Sequence, residues 1–126
     1  MSLSAFDLVA EAKSQITEIE PAAAHDAIHD ALVLDVREPA EYEAGRLPGA
    51  INIPRGVLEF RIGDHPQFTR RDRDILVYCK TSGRAALAAL NLKRMGYDRV
   101  RSIHGGFDAW SQGGLPVEQE STRFGD

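Results

Sequence analysis

Two short, almost uninterrupted apolar runs constrain the fold of this chain most. Residues 32–36 are apolar except for Asp35, and residues 75–78 are apolar up to Cys79. A strand with one face in water alternates apolar and polar residues, whereas a strand covered on both faces does not. The two runs therefore predict buried strands of a sheet with helices on each side.

The rest of the chain alternates between short strands and helices, which is the pattern of βαβ units and a mainly parallel sheet. Ser4 is a candidate cap for a helix within residues 1–15, Pro21 opens a second helix over 22–31, and Gly96 ends a buried helix that includes 85–92. Further strands are predicted at 16–19, 50–53 and 100–103. Residues 118–126 are predicted to form a polar, frayed tail. The chain is interpreted as a single domain over residues 1–126.

Size and charge exclude several classes of protein. A chain of 126 residues is the length of one domain. A net charge of −4 and a pI near 5.5 argue against nucleic-acid binding. No apolar run is long enough to cross a bilayer, and no secretory signal is visible, so membrane association is not predicted. With a single cysteine, no internal disulfide can form, and a reducing cytoplasm is the expected compartment.

Cys79 lies where a parallel sheet places its ligands, beyond the carboxyl end of a buried strand and before a buried helix. The intervening loop is expected to turn several main-chain N–H groups toward one point. Lys80 and Arg84 add positive charge, so we expect the pKa of the thiol to fall below its free value of about 8.5. The same concavity would hold an anionic substrate. The alternative is that Cys79 is a small apolar residue filling a strand end.

Three segments, in order, resemble the rhodanese (sulfurtransferase) family. The first is DVRE at residues 35–38, followed by Glu41-Tyr42 and by GRLPGAINIP at 45–54. The second is CKTSGR at 79–84 with the helix after it. The third is GGFDAW at 105–110, followed by Gly114-Leu115-Pro116. Three features depart from the family pattern: glycine is at Gly83 rather than at Ser82, Ala85 occupies a position where serine is common, and Arg46 replaces the usual histidine.

The resemblance implies a three-layer α/β/α fold with a central, mainly parallel five-stranded sheet. It implies a sulfurtransferase in which Cys79 is the nucleophile and carries a persulfide between a donor such as thiosulfate and an acceptor such as cyanide or a thiol. The active-site loop is then Lys80, Thr81, Ser82, Gly83 and Arg84, and no organic cofactor or metal is needed. His25 and His29 lie four residues apart but have no apparent third ligand, so no metal site is predicted.

Two other functions remain open. The first is a persulfide carrier that takes sulfur from a partner protein and passes it on with little turnover. The second is a phosphatase or arsenate reductase, relatives that place five residues between cysteine and arginine. Here four residues separate Cys79 from Arg84, and a short ring of amides suits one sulfur atom better than a tetrahedral oxyanion. The sulfurtransferase interpretation is therefore preferred.

The remaining candidate residues have supporting roles. Arg84 is expected to hold the loop or attract the donor. Lys80 is expected either to steer anions or to be merely exposed to solvent. The hydroxyls of Thr81 and Ser82 either donate to sulfur or cap the following helix, Ser82 being the candidate cap. Asp35 and Arg37 leave a neighbouring strand at the same edge, where they either support the loop or form a purely structural ion pair.

Overall fold

The computed structural model describes residues 2–119. Strands and helices alternate along this part of the chain. The strands are β1 (Thr17–Ile19), β2 (Leu32–Asp35), β3 (Ile51–Asn52), β4 (Ile75–Tyr78) and β5 (Val100–Ile103). The helices are α1 (Ala5–Lys13), α2 (Pro21–Ala27), α3 (Pro39–Ala44), α4 (Leu58–Arg61), α5 (Gly83–Arg94) and α6 (Gly106–Gln112). This order confirms the predicted alternation of strands and helices.

The five strands form one sheet in the order β1-β5-β4-β2-β3, and all four neighbouring pairs are parallel. All four residues of the central strand β4 are buried, as the apolar run predicts. Its alternate side chains pack into two apolar clusters on opposite faces, one with Ala88 of α5 and one with Trp110 of α6. The result is the three-layer arrangement expected of a parallel sheet.

Two helix boundaries lie where the capping residues in the sequence predict them. The Ser4 side chain accepts a hydrogen bond from the Asp7 N–H, and the Asp7 carboxylate accepts one from the Ser4 N–H, which completes a capping box. Gly96, beyond the end of α5, has a φ of +96°, the left-handed conformation in which glycine has no steric penalty. Both predicted helix boundaries are therefore confirmed.

Two segments differ from the prediction. The second helix ends at Ala27, and a 3-10 turn, Ile28–Asp30, replaces its predicted last part because the chain must become extended at Ala31 to enter β2. The tail predicted from Glu118 is held at its start, since the N–H and C=O of Glu118 bond the main chain of Arg46 at 2.8 Å each. Residues 120–126 of that predicted tail lie outside the described residues.

Candidate active site

The loop at residues 79–84 lies at the carboxyl edge of the sheet, between the end of β4 and the first turn of α5. Strands β2 and β5 flank β4 on its two sides, so the segments that follow them border the loop. The loop is short because α5 already begins at Gly83. A Cβ at Gly83 would lie 3.6 Å from the Val9 side chain of α1, which is an ordinary contact distance. Cys79 is thus held where the sequence predicts it.

The Cys79 side chain faces the side of the sheet that α5 covers. Its sulfur accepts a hydrogen bond from the main-chain N–H of Ala85, with a separation of 3.3 Å, and the residue is 1% exposed. It belongs to the apolar cluster that includes Val36, Ile53 and Leu58. Several convergent N–H groups are predicted from the sequence, and among residues 2–119 the Ala85 N–H is the one that bonds Sγ.

Helix α6 packs against the loop and holds it in place through main-chain hydrogen bonds. The N–H of Phe107 donates to the Cys79 carbonyl at 2.8 Å, and the N–H of Asp108 donates to the Lys80 carbonyl at 3.0 Å. The Ser82 hydroxyl oxygen accepts from the N–H of Gly105 at 3.0 Å. Ser82 occupies the cap position of α5 but makes no capping hydrogen bond, so that predicted role is wrong.

Gly106 makes this close contact possible. Its φ is +57°, and a Cβ placed there would lie 2.3 Å from the Thr81 carbonyl oxygen and 2.4 Å from that of Cys79. These atoms are main chain and cannot rotate away. A residue without a side chain is therefore required for the loop and α6 to pack together. The glycine pair in the sequence is the one available signal of this contact, and by itself it indicates only a tight turn.

Arg84 has a carboxylate partner of its own. Two of its guanidinium nitrogens donate to the two oxygens of Glu41, on α3, at 2.8 and 3.1 Å. The hydrogen bonds from Arg84 lower the pKa of Glu41 to about 2. The pKa of Arg84 is raised, first by its hydrogen bond to Glu41 and in addition by electrostatic attraction to Cys79. Arg84 thus ties the end of the loop to α3 beside the sulfur.

Lys80 also faces a carboxylate. Its Nζ lies 2.8 and 3.1 Å from the two oxygens of Asp108 on α6, and its side chain is 58% exposed. Of the remaining loop residues, Thr81 is exposed and Gly83 is the first residue of α5. Both cations that the sequence predicts to attract an anionic donor are therefore paired with acidic side chains.

Asp35 and Arg37 form a buried ion pair at the end of β2. The guanidinium of Arg37 bonds both Asp35 oxygens, with the shortest separation 2.7 Å, and donates to the Gly45 carbonyl at 2.6 Å. The Tyr78 hydroxyl donates to Asp35 at 2.7 Å and accepts from the Leu47 N–H. Burial opposes the charge of Arg37, but its pKa is raised because the bonds to Asp35 outweigh that effect. Burial and the charge of Asp35 raise the pKa of Tyr78.

The buried network reaches the loop through Tyr78, which directly precedes Cys79. Since Asp35 holds the Tyr78 hydroxyl, it also fixes the last residue of β4. The Arg37 guanidinium carbon also lies 4.5 Å from the centre of the Phe107 ring. The main-chain N–H of Phe107 bonds the Cys79 carbonyl. Asp35 and Arg37 are thus an ion pair that also contacts the residues supporting the loop.

A cleft of about 250 Å³ opens beside the loop, between α3 and α6. Its lining within residues 2–119 includes Arg37, Glu41, Lys80, Phe107 and Asp108, but not Cys79. The Cys79 side chain belongs instead to the apolar cluster that includes Ala85 and Ala88 of α5. A ligand in the cleft would therefore contact the loop at Lys80. Because Cys79 is 1% exposed, such a ligand would reach Sγ only after the loop shifts.

Other predicted features lie away from this edge. Across residues 2–119, no three histidine, cysteine, aspartate or glutamate side chains are grouped as a metal site requires. His25 packs edge-on against Trp110, with ring centres 5.7 Å apart. No helix in this part of the chain has the length and apolar character needed to cross a membrane.

Comparison with known families identifies the class of protein to which this fold and loop belong. The family model "Rhodanese-like domain" matches residues 20–113, which include the strands β2 to β5 and the loop that carries Cys79. The chain is a member of the rhodanese-like domain family. This confirms the resemblance deduced from the three motifs.

Three individual proteins show what the chain is similar to. A protein named "Sulfurtransferase" from Allochromatium vinosum is 36% identical over 88 residues, covering 70% of this chain and 78% of the relative. The polysulfide-sulfur transferase homodimer of Wolinella succinogenes has a TM-score of 0.76 at 30% identity, covering 90% and 86% of the two chains. A Rhodopseudomonas palustris protein of unknown function, described as a possible tyrosine phosphatase, has a TM-score of 0.86 at 34% identity, covering 94% and 96%.

Proposed function

We propose that this protein is a sulfurtransferase that moves a sulfane sulfur from thiosulfate or a similar donor to cyanide or a thiol through a persulfide on Cys79. The observation that carries the proposal is the position of Cys79. Its sulfur lies at the end of the central strand, accepts the Ala85 N–H at 3.3 Å, and is four residues before Arg84. Membership of the rhodanese-like domain family and the sulfurtransferase names of relatives support the same reaction class.

In the first half-reaction, the Cys79 thiolate attacks the outer sulfur of thiosulfate. A new S–S bond forms at Cys79 while the S–S bond of the donor breaks, and sulfite leaves with its electron pair. No external oxidant or reductant is needed. The product is a covalent intermediate, so the reaction follows a ping-pong course.

In the second half-reaction, the acceptor attacks the outer sulfur of the persulfide. The bond between the two sulfur atoms breaks, its electron pair returns to Cys79, and the acceptor leaves with the sulfur. The Ala85 N–H is positioned to stabilise negative charge on sulfur in both steps. Because Cys79 is 1% exposed, both steps require the loop to move.

The surrounding residues position the loop. Arg84 ties its end to Glu41, while Ser82 and the main chain of Lys80 fix it against α6. Asp35 and Arg37 support it from β2 through Tyr78 and Phe107. Thr81 and Gly83 complete the turn. Lys80 directly follows the nucleophile Cys79 in the sequence, and its positively charged side chain lines the cleft.

A persulfide carrier is the second candidate function, and the burial of Cys79 favours it. A sulfur with 1% exposure is shielded from solvent, as a stored persulfide has to be. In this case the loop opens on a sulfur-relay protein, and thiosulfate turns over slowly. Either function needs a free thiol and hence a reducing compartment, and on that ground we propose the cytoplasm.

Phosphatase chemistry is disfavoured by the loop. The Rhodopseudomonas relative is described as a possible tyrosine phosphatase, but here only four residues lie between Cys79 and Arg84. Both donating arms of Arg84 are already bonded to Glu41. An oxyanion would have to displace that carboxylate to reach the guanidinium.

Steady-state turnover of thiosulfate and cyanide tests the proposal, with Cys79→Ser as the control. We expect parallel double-reciprocal lines for the wild-type protein and no thiocyanate from the variant. Fast formation of the persulfide with negligible turnover would instead favour the carrier. Hydrolysis of an aryl phosphate by the wild-type protein, without sulfur uptake, would overturn both in favour of a phosphatase.

A further inference from the structure

The charged side chains that line the cleft beside the loop carry no net charge. Its lining carries two cationic and two anionic side chains, and each of them has an oppositely charged partner. The pairs are Lys80–Asp108, Arg84–Glu41 and Arg37–Asp35. A site that attracts a free dianion focuses one sign of charge on its ligand. This cleft does not, although its loop contains two cations.

Asp108 is the acidic group most able to change this balance without altering the fold. Its carboxylate bonds the Lys80 ammonium at 2.8 and 3.1 Å and is about one third exposed. Glu41, in contrast, also accepts the Glu38 N–H in the capping box of α3. The contact of Asp108 with the loop carbonyl is made by its main chain, so a change of side chain leaves that bond in place.

We propose that Asp108 is a specificity-determining residue: by neutralising Lys80 it disfavours small inorganic dianions and favours substrates that carry a positive and a negative group together, such as an amino-acid thiol. The proposal rests on the sulfurtransferase function proposed above. The ammonium of such a thiol would face Asp108 and Glu41, its carboxylate would face Lys80, and the Phe107 ring would provide an apolar wall.

The selectivity acts on both half-reactions: it disfavours thiosulfate as the donor and favours an amino-acid thiol as the acceptor that takes sulfur from Cys79. Once the loop has shifted to expose Cys79, the thiolate of the amino-acid thiol attacks the outer sulfur of the persulfide and forms a new S–S bond. The S–S bond at Cys79 breaks, and its electron pair returns to Sγ. The product is the amino-acid persulfide, formed without an oxidant.

Asp108→Asn tests the proposal, with Asp72→Asn as the matched control. Both remove one negative charge from a carboxylate paired with a cation, but Asp72 pairs with Arg70 on an exposed turn away from the cleft. With cyanide as acceptor, we expect Asp108→Asn to raise kcat/KM for thiosulfate by about three- to tenfold at low salt, and added salt to reduce the gain. Asp72→Asn should leave kcat/KM unchanged.

With an amino-acid thiol as acceptor, Asp108→Asn should change the rate of sulfur transfer in the opposite direction. With the persulfide already formed, the rate of sulfur transfer to cysteine should fall about three- to tenfold in Asp108→Asn, because the cysteine ammonium loses a partner. Transfer to 2-mercaptoethanol, which has no charged groups besides its thiol, should not change. This split separates selectivity from a general loss of loop structure, which would slow both thiols alike.

The possible results separate the two proposals. If Asp108→Asn matches Asp72→Asn for both thiosulfate and cysteine while sulfur is still loaded on Cys79, the selectivity proposal is overturned and the proposed function is retained. If thiosulfate loads no sulfur on any of the proteins, the proposed function fails as well. A gain with thiosulfate together with a loss with cysteine supports the proposal.

Discussion

Two of the ion pairs at the carboxyl edge of the sheet have sharply different surroundings. Asp35–Arg37 is buried, with side-chain exposures of 0% and 4%, and is joined to Tyr78 and Gly45 by further hydrogen bonds. Glu41–Arg84 is about one third exposed and links two helices across the loop. A buried charge that loses its partner is strongly destabilising, whereas an exposed pair contributes little.

This difference divides the residues around the loop into two sets. The buried anchor consists of Asp35, Arg37, Tyr78 and Gly106, and the surface pairs are Glu41–Arg84 and Lys80–Asp108. Changes in the buried anchor should lower stability and every activity together. Changes in the surface pairs should alter which ligands are used while leaving the fold almost unchanged.

The largest effect is expected for Asp35→Ala. This change leaves the Arg37 guanidinium buried without its main partner and removes the acceptor of the Tyr78 hydroxyl. We expect a loss of about 3–5 kcal/mol in the free energy of unfolding, measured by denaturant titration. Asp72→Ala, which breaks an exposed pair, is the control and should cost no more than about 0.5 kcal/mol. Equal losses in the two variants would remove the distinction between buried and surface pairs.

Gly106→Ala should have the next largest effect. The added Cβ meets two loop carbonyl oxygens and occupies a left-handed backbone, so we expect a loss of about 2–4 kcal/mol together with strongly reduced sulfur transfer. Gly114→Ala is the matched control, since Gly114 also has a positive φ, +75°, but a Cβ there meets nothing within 4 Å. If the two variants behave alike, the packing of α6 against the loop is not what holds the loop in place.

A smaller effect is expected for Ser82→Ala. The change leaves the partly buried Gly105 N–H without its acceptor, and we expect a loss of about 1–2 kcal/mol in the free energy of unfolding. Ser14→Ala removes a hydroxyl that bonds an exposed helix end and should have less effect. The stability losses of Ser82→Ala and Ser14→Ala relative to the wild-type protein are measured by thermal or chemical unfolding. A larger loss in Ser14→Ala would argue against an anchoring role for Ser82.

The smallest effect on stability is expected for Glu41→Gln. Glutamine keeps the shape of the capping box but loses the charge facing Arg84, so the cost near neutral pH should be about 0.5–1 kcal/mol. The pKa of Glu41 is lowered from 4.5 to about 2 in the folded protein. Its contribution is therefore fully present above pH 4.5 and is lost as the pH falls toward 2.

Measuring the free energy of unfolding across that pH range checks the direction of this pH dependence. The difference between the wild-type protein and Glu41→Gln should narrow as the pH falls from 4.5 toward 2. A difference that stays constant over this range would show that the charge of Glu41 does not stabilise the fold. Because the glutamine side chain cannot ionise, the variant shows how the free energy of unfolding depends on pH without the titration of residue 41.

Much of the fold could be predicted from local patterns. The run at residues 75–78 indicated the central strand, and the glycine and serine at the helix ends indicated several boundaries. The position of Cys79 followed from these elements. Local pattern could not indicate the last part of the second helix, because its length is set by the need to enter β2 at Leu32.

The environment of the loop was less predictable, because its partners are distant in sequence. Glu41 is 43 residues from Arg84, and Asp108 is 28 residues from Lys80. Only the packing of α3 and α6 around the sheet brings these pairs together. For the same reason, the sequence indicated two free cations at the loop where the structure has two neutralised ones.

The role of Cys79 as the sulfur carrier can be measured by the intact mass of the protein after treatment with thiosulfate and removal of excess reagent. We expect a gain of one sulfur atom in the wild-type protein, its loss on addition of cyanide, and no gain in Cys79→Ser. An unchanged mass in the wild-type protein, or an equal gain in the variant, would contradict the assignment of Cys79 as the sulfur carrier.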